Sequence, residues 1–428
     1  MATKIGGAAD RAPSTCGDKL QAPLRSVARI WFHHLPLWFV LALSWAPSLQ
    51  AAPPKVFLQD AAQLAGQRER FLAGDAAATT ERQQLERAAE RALKTRLLSV
   101  MDKDRLPPSG DKHDYMSQAP YFWPNPDSAS GLPYVRHDGK RNPEIYRISD
   151  HREMSQMADA VAVLGRAAYL TGQEKYAARA AALLRTWFLD PATRMNPNLT
   201  YAQAVPGVNT GRGIGLIETA NLPEIVDAVG LLAGSEAWTP ADQQGMEDWC
   251  NRFLDWMLES QNGRNEAAAK NNHGTYYDVQ VVSLALFVGR RELATNVVNA
   301  AKARRIARQI EPDGRQPLEL ARTKSWGYSV MNLRGLMHLA TLGEHVGVDL
   351  WHYGTADGRG IRAALDFLLP YAFGDQAWPY PQLGNWSPDE VFPLVKRAAP
   401  KYPHDAVCQK YLLRLPPATA SAKPSRAD

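Results

Sequence analysis

The stretch Lys270-Asn271-Asn272-His273-Gly274-Thr275-Tyr276-Tyr277 sets two amides and an imidazole between Ala267-Ala268-Ala269 and the apolar run 279–288. A polar tip that runs straight into an apolar segment reads as the mouth of a helix. Side-chain donors and free backbone N–H groups there can converge on an anion such as a carboxylate. About fifty residues on, Arg322 and Tyr328 supply a fixed cation and a phenol, the two groups the tip lacks.

These residue types suit proton abstraction beside a carboxylate. The C5 proton of a uronate sugar leaves only when the carboxylate charge is neutralised. Donors that hold the resulting enolate-like dianion more tightly than the ground state lower the barrier. Asn271 or Asn272, His273 and Arg322 are donors of that kind. Tyr328 can act as base and acid if a neighbouring guanidinium lowers its phenol from the usual value of about 10. If C5–H and O4 share a sugar face, one tyrosine does both jobs; if they do not, His273 must be the base. Arg322 and Tyr328 are six residues apart, which on an unbroken helix separates them by roughly 120°. They converge only if a helix starts between them, and Thr323-Lys324-Ser325 with Gly327 predicts a start near Ser325. His273, Tyr277 and Gln280 share one helix face. Taken singly, each of these residues also fits an ordinary part as a cap, a packing residue or a salt-bridge partner.

The elements that must position them are helical. Ala76–Ser99 is a charged, alanine-rich amphipathic helix. From Ser149 on, helices are predicted at 150–171, 173–189, 218–234, 240–260, 273–289, 290–309, 325–346 and 358–370, with short turns at Gly172, Pro240, Gly289 and Pro312-Asp313-Gly314. Helices joined by short turns pack as antiparallel hairpins. The predicted fold is therefore all-α, an α/α toroid with long loops over a central cleft, or else an α-solenoid, although no fixed-period repeat is present. Two loops stand out. Residues 106–142 are dense in proline, glycine and aromatics, including Tyr121-Phe122-Trp123-Pro124-Asn125-Pro126. They read either as a groove wall for sugar rings or as a loop pinned by aromatic anchors. Residues 196–214, with Asn209-Thr210-Gly211-Arg212-Gly213, offer helix caps or ligand contacts.

Composition narrows the class. The 428 residues are 45% hydrophobic and carry a formal charge of +5. Five basic and two acidic residues lie in 1–52, so the remainder carries only +2. A nearly neutral body lacks the basic stripe that nucleic acid binding requires. Arg25 and Arg29 precede the apolar run 35–43 and small residues near Ala51-Ala52. This reads as a leader and secretory signal, too short for a membrane span, with the exported protein periplasmic or secreted. The expected organisation is a leader over 1–52, one domain over 53–415 and a disordered Ala/Ser/Pro-rich tail over 416–428. Export leaves Cys250 and Cys408, which either pair or stay free. The sequence leaves the oligomeric state open.

The Asn271-Asn272-His273 tip with its downstream arginine and tyrosine resembles the alginate lyase superfamily of α/α-toroid polysaccharide lyases. The loop 121–126, Gly131-Leu132-Pro133-Tyr134 and Asp138-Gly139-Lys140-Arg141-Asn142-Pro143-Glu144 are similar to its glucuronan- and mannuronate-cleaving branch, polysaccharide lyase family thirty-eight. The likeness runs from about Tyr115 to between Ala340 and Tyr380, and the spacing from Arg322 to Tyr328 differs by one from that of the periplasmic family five. The resemblance implies that Asn272 and His273 neutralise the carboxylate with Arg322, and that Tyr328 is the catalytic tyrosine. It implies β-elimination on an acidic polysaccharide without metal or other cofactor. Tyr115, Tyr121, Trp123, Arg212, Asn271, Tyr277 and Trp326 are the candidate groove residues. Two rivals remain: a glycoside hydrolase using paired carboxylates such as Glu218 with Asp278 or Glu319, and a non-catalytic uronate-binding protein.

Overall fold

Glycine, proline and capping side chains punctuate the chain into helices that the apolar spacing then packs. The computed structural model describes residues 53–416. The leader over 1–52 and nearly all of the tail over 416–428 lie outside the described residues. Two helices come first, α1 (Ala61–Leu72) and α2 (Thr79–Ala92). The aromatic-proline region carries β1 (Met116–Gln118), β2 (Phe122–Trp123) and β3 (Val135–Arg136). After α3 (Asp150–Thr171) and α4 (Glu174–Leu184), β4 (Tyr201–Ala204) pairs in parallel with β1, while β2 pairs antiparallel with β3. Then follow α5 (Leu222–Leu232), α6 (Pro240–Glu259), α7 (Gln261–Ala267), α8 (Asn272–Phe287) and α9 (Arg291–Ala301). The chain continues through α10 (Ala307–Gln309), α11 (Pro317–Leu320), α12 (Ser325–Glu344), α13 (Ile361–Ala372), α14 (Phe392–Ala398) and α15 (Ala406–Leu413).

Helices α3, α5, α8 and α12 form an inner row, each packed on the next. α4 backs α3, α6 and α9 back α8, and α13 backs α12. α8 is apolar on nearly all sides, as a helix enclosed by neighbours must be. Every one of its residues is buried except His273.

Four expectations need correction. The helix read over 76–99 ends at Ala92, because Ser99 instead caps a short 3₁₀ turn at Val100–Asp102 with Asp102 reciprocating. The helix read from 218 starts at Leu222, where Pro223 fits the first turn and a 3₁₀ turn precedes it. The helix read over 290–309 carries a π-helical turn at Lys302–Ile306, which re-aims Arg305. The short strand pairs were not foreseen, since two to four residues are too few to show alternation. Cys250 and Cys408 are both buried and unpaired. Among the described residues no helix is long and apolar enough to cross a membrane.

Candidate active site

The polar tip is held from behind by one buried arginine. From the π-helical turn, Arg305 donates to the carbonyl oxygens of Ala267 and Ala269 and forms a buried ion pair with Asp278 at 2.7 Å. Arg304 also donates to Ala267. The last carbonyl of α7, at Ala267, and that of Ala269 in the turn beyond are thus satisfied by guanidinium groups. The chain passes Arg305 so closely at Gly274 that a Cβ there would collide with the Ala269 oxygen and the Arg305 Nη1.

Asn272 opens α8, and Glu319 on α11 takes both its backbone N–H and its Nδ2, each at 2.7 Å. The acceptor at this helix mouth is therefore the protein's own Glu319 carboxyl, a correction to the expectation that its first N–H is open to substrate. Asn272 is buried, and its Nδ2 carries a second hydrogen beyond the one that Glu319 takes. Burial holds the Glu319 carboxyl above its ordinary value, against the pull of the Asn272 bonds and Arg322. The His273 side chain is 16% exposed, with Nδ1 2.7 Å from Glu266 Oε1 on α7. Asn271, at the N-cap, is half-buried, and no hydrogen bond among the described residues engages its side chain.

Arg322 and Tyr328 converge because α12 starts at Ser325, between them. The Arg322 guanidinium carbon lies 3.7 Å from the centre of the Tyr328 ring. Asp138 fixes the guanidinium at 2.8 and 3.2 Å and also accepts from Thr323 Oγ1 at 3.0 Å. Although burial works upward, the hydrogen bond and charge of Arg322 with the Thr323 bonds bring the Asp138 carboxyl down to about 2. The Tyr328 hydroxyl is 2.9 Å from that of Tyr121. Burial first, and then Tyr121, hold the Tyr328 phenol well above its usual range despite Arg322. This corrects the expectation of a lowered phenol: the guanidinium stacks on the ring face, and its charge is partly cancelled by Asp138. Arg322 is joined back to the tip through Glu319, whose carbonyl accepts from the Arg322 N–H at 3.1 Å. Glu319 thus ties Asn272 to the stretch that carries Arg322, which stacks on Tyr328.

Arg212 lies over the Phe122 ring at 4.9 Å and donates to Gln203 Oε1 at 2.9 Å, while its Nε is buried without a partner. Gln203 adopts a φ of +51°, unusual for a residue with a side chain, which directs its amide to Arg212. Trp123 is half-buried, with Nε1 bonded to Lys140 O at 2.9 Å. Three groove candidates are corrected because they are core residues. Tyr115 is fully buried with its hydroxyl on Glu218, Tyr277 is buried with its hydroxyl on Met257 O, and Trp326 is 0% exposed against Trp378 and Trp386. The helix face bearing Tyr277 and Gln280 turns inward, where Gln280 meets Thr219 and Leu216.

Sequence reasoning missed the carboxylates that aim the site. Asp138 was legible only as part of a turn before Gly139, whose φ of +72° and close approach to Thr323 seat the loop. Glu266 stands seven residues before His273 without any marking feature. Among the described residues no cluster of His, Cys, Asp or Glu is arranged to hold a metal. The carboxylates weighed for a hydrolase are engaged elsewhere, Glu218 with Tyr115 and Ser117, Asp278 with Arg305, and Glu319 with Asn272.

A family model described as alginate lyase matches residues 99–378. An alginate lyase structure from Bacteroides ovatus is 40% identical over 84% of this chain and 95% of its own, with a TM-score of 0.81. Alginate lyase A1-III from Sphingomonas species A1 shares the fold at 14% identity, covering 84% and 93% of the two chains with a TM-score of 0.51. A histidine-to-alanine variant of A1-III complexed with a tetrasaccharide superposes with a TM-score of 0.53 at 14% identity, over 84% and 92%. No curated protein matches. The architecture is the α/α toroid of these structures.

Proposed function

Because this chain belongs to the alginate lyase family and is a polysaccharide lyase, we propose that it cleaves a 1,4-linked polyuronate, mannuronate-rich alginate or glucuronan, by β-elimination. The observation that carries this is the Arg322–Tyr328 stack, a fixed cation on a phenol, three residues beyond the Glu319 that holds Asn272. Arg322 and the remaining Asn272 N–H neutralise the C5 carboxylate. The C5–H bond breaks, its electrons form C4=C5, and the C4–O4 bond breaks with O4 taking a proton. The products are a new reducing end and an unsaturated uronate at the other.

In the single-tyrosine version, the Tyr328 phenolate takes the C5 proton and passes it to O4. Mannuronate and glucuronate suit this, since their C5–H and O4 share a face. A second version is favoured by the high phenol of Tyr328: Tyr328 starts protonated and serves as the acid, while His273 Nε2 takes the C5 proton. Arg212, Tyr121 and Trp123 line the approach and fit the neighbouring sugars. The reading treats 53–415 as the catalytic domain of an exported protein, with 1–52 as its leader.

The test is ultraviolet absorbance of the purified protein with polymannuronate, glucuronan and polyguluronate in parallel. The conjugated double bond absorbs where intact sugars do not. A rise on the first two supports elimination on one face with Tyr328 as base and acid. A rise mainly on polyguluronate gives His273 the base role. Reducing ends without absorbance would move the protein to the hydrolases.

A further inference from the structure

His273 is the one residue of α8 that is not buried, and behind it Glu266 Oε1 sits 2.7 Å from Nδ1. We propose that Glu266 is the positioning residue that fixes His273 as its Nδ1–H tautomer, so that Nε2 enters the cleft as a proton acceptor. The assignment of a task to Nε2 rests on the lyase reading above. A carboxylate oxygen only accepts, so a neutral ring beside it carries its proton on Nδ1 and its lone pair on Nε2. Donating Nε2–H to a substrate carboxylate would require the other tautomer or the imidazolium.

The support behind the histidine is built rather than incidental. Glu266 is 2% exposed, one residue before the end of α7. The turn beyond it is held at the Ala267 and Ala269 carbonyls by Arg305, and at Ala267 by Arg304. On the other side Gly213 lies so near that a Cβ there would stand 2.7 Å from the Asn262 oxygen and 3.2 Å from the Glu266 nitrogen. The backbone of α7 is thus packed on one side and tied down on the other, and the buried Glu266 carboxyl holds His273 Nδ1 from that support. A base held within hydrogen-bond reach by a third group is the arrangement that general-base catalysis needs.

The experiment is ¹⁵N NMR of the labelled protein, with the His273 ring signals assigned by their loss in His273→Gln. The expected spectrum at a pH where the ring is neutral shows a protonated Nδ1 and a bare Nε2. In Glu266→Gln the amide can donate to Nδ1, and the ring should move toward the Nε2–H form. An Nε2–H ring in the unmodified protein, or an unchanged tautomer in Glu266→Gln, overturns the proposal. In kinetics, Glu266→Gln should lower kcat about tenfold or more, part of the ~10²–10⁴ a positioned base supplies, with KM within about twofold. It should cost nothing further in a His273→Gln background, whereas additive losses would assign Glu266 a structural part alone. The tautomer is read without substrate. A chain inert to every polyuronate yet holding the Nδ1–H ring would overturn the lyase reading and leave Glu266 in place.

Discussion

The guanidinium of Arg322 lies flat against the ring of Tyr328, 3.7 Å from its centre, and is held there by Asp138 at 2.8 Å. The stack exists because the chain turns into α12 at Ser325, three residues after the arginine and three before the tyrosine. A continuous helix would have turned the two side chains apart. The cation is thereby aimed by its own chain and by a carboxylate from the loop after β3.

Tyr328→Phe removes the proton-transferring hydroxyl and leaves the stacked ring. Turnover should fall by at least about 10²-fold while polymer binding changes little. Full activity in this variant, measured by absorbance alongside calorimetric binding, would remove Tyr328 from the reaction.

Arg322→Lys keeps the charge but loses the planar fork that Asp138 grips and the flat contact on Tyr328. Most of kcat/KM should be lost, by roughly 10- to 100-fold, or about 1.4–2.7 kcal/mol of transition-state stabilisation. Rates like those of the unmodified protein would take Arg322 out of the site.

The two proposed versions differ in pH dependence. Burial and Tyr121 hold the Tyr328 phenol above its ordinary range, so its phenolate is scarce at neutral pH and grows as pH rises. If Tyr328 is the base, kcat/KM should climb about tenfold per pH unit through the neutral range. If Tyr328 is the acid, no such climb appears. A pH–rate profile separates them.

Asp138 gives a second pH test, on the loop rather than the chemistry. Its carboxyl is lowered to about 2 in the folded chain, against about 3.9 when unfolded. Its contribution is therefore present above about 3.9 and is lost as pH falls toward 2. Hydrogen exchange of residues 136–142 should stay slow from neutral pH down to about 4, and Asp138→Asn should speed it throughout. Equal protection in the variant would show that the loop is held by other contacts.

Gly274→Ala places a methyl on the Ala269 carbonyl and the Arg305 guanidinium, neither of which can yield without breaking the buried pair with Asp278. The cost should reach about 1–3 kcal/mol or more. Arg305→Met, which strands Asp278, should cost about 3–5 kcal/mol. Urea unfolding of both variants checks the values, and a change below about 0.5 kcal/mol in either would contradict the packing described.

Much of the fold was legible because helix periodicity, glycine stops and capping residues act over a few neighbouring residues. α3, α6, α8 and α12 begin at or within one residue of the expected positions. The polar tip stood out for the same reason, since Asn-Asn-His before an apolar run conflicts with its surroundings. The start of α12 was legible too, and with it the meeting of Arg322 and Tyr328. Burial was not. Tyr115, Tyr277 and Trp326 have the composition of groove residues, and only the path of the inner helices puts them in the core.

The sequence by itself determined the helical class, the polar tip and the residue types able to neutralise a carboxylate and move a proton. Each of these follows from local spacing and side-chain chemistry. The tertiary structure decided which partners those groups meet and how deeply they are buried. Glu266, Glu319 and Asp138 reach His273, Asn272 and Arg322 from 7, 47 and 184 residues away. Hydrogen bonds and burial across such separations depend on how the helices pack, and no short-range pattern encodes that.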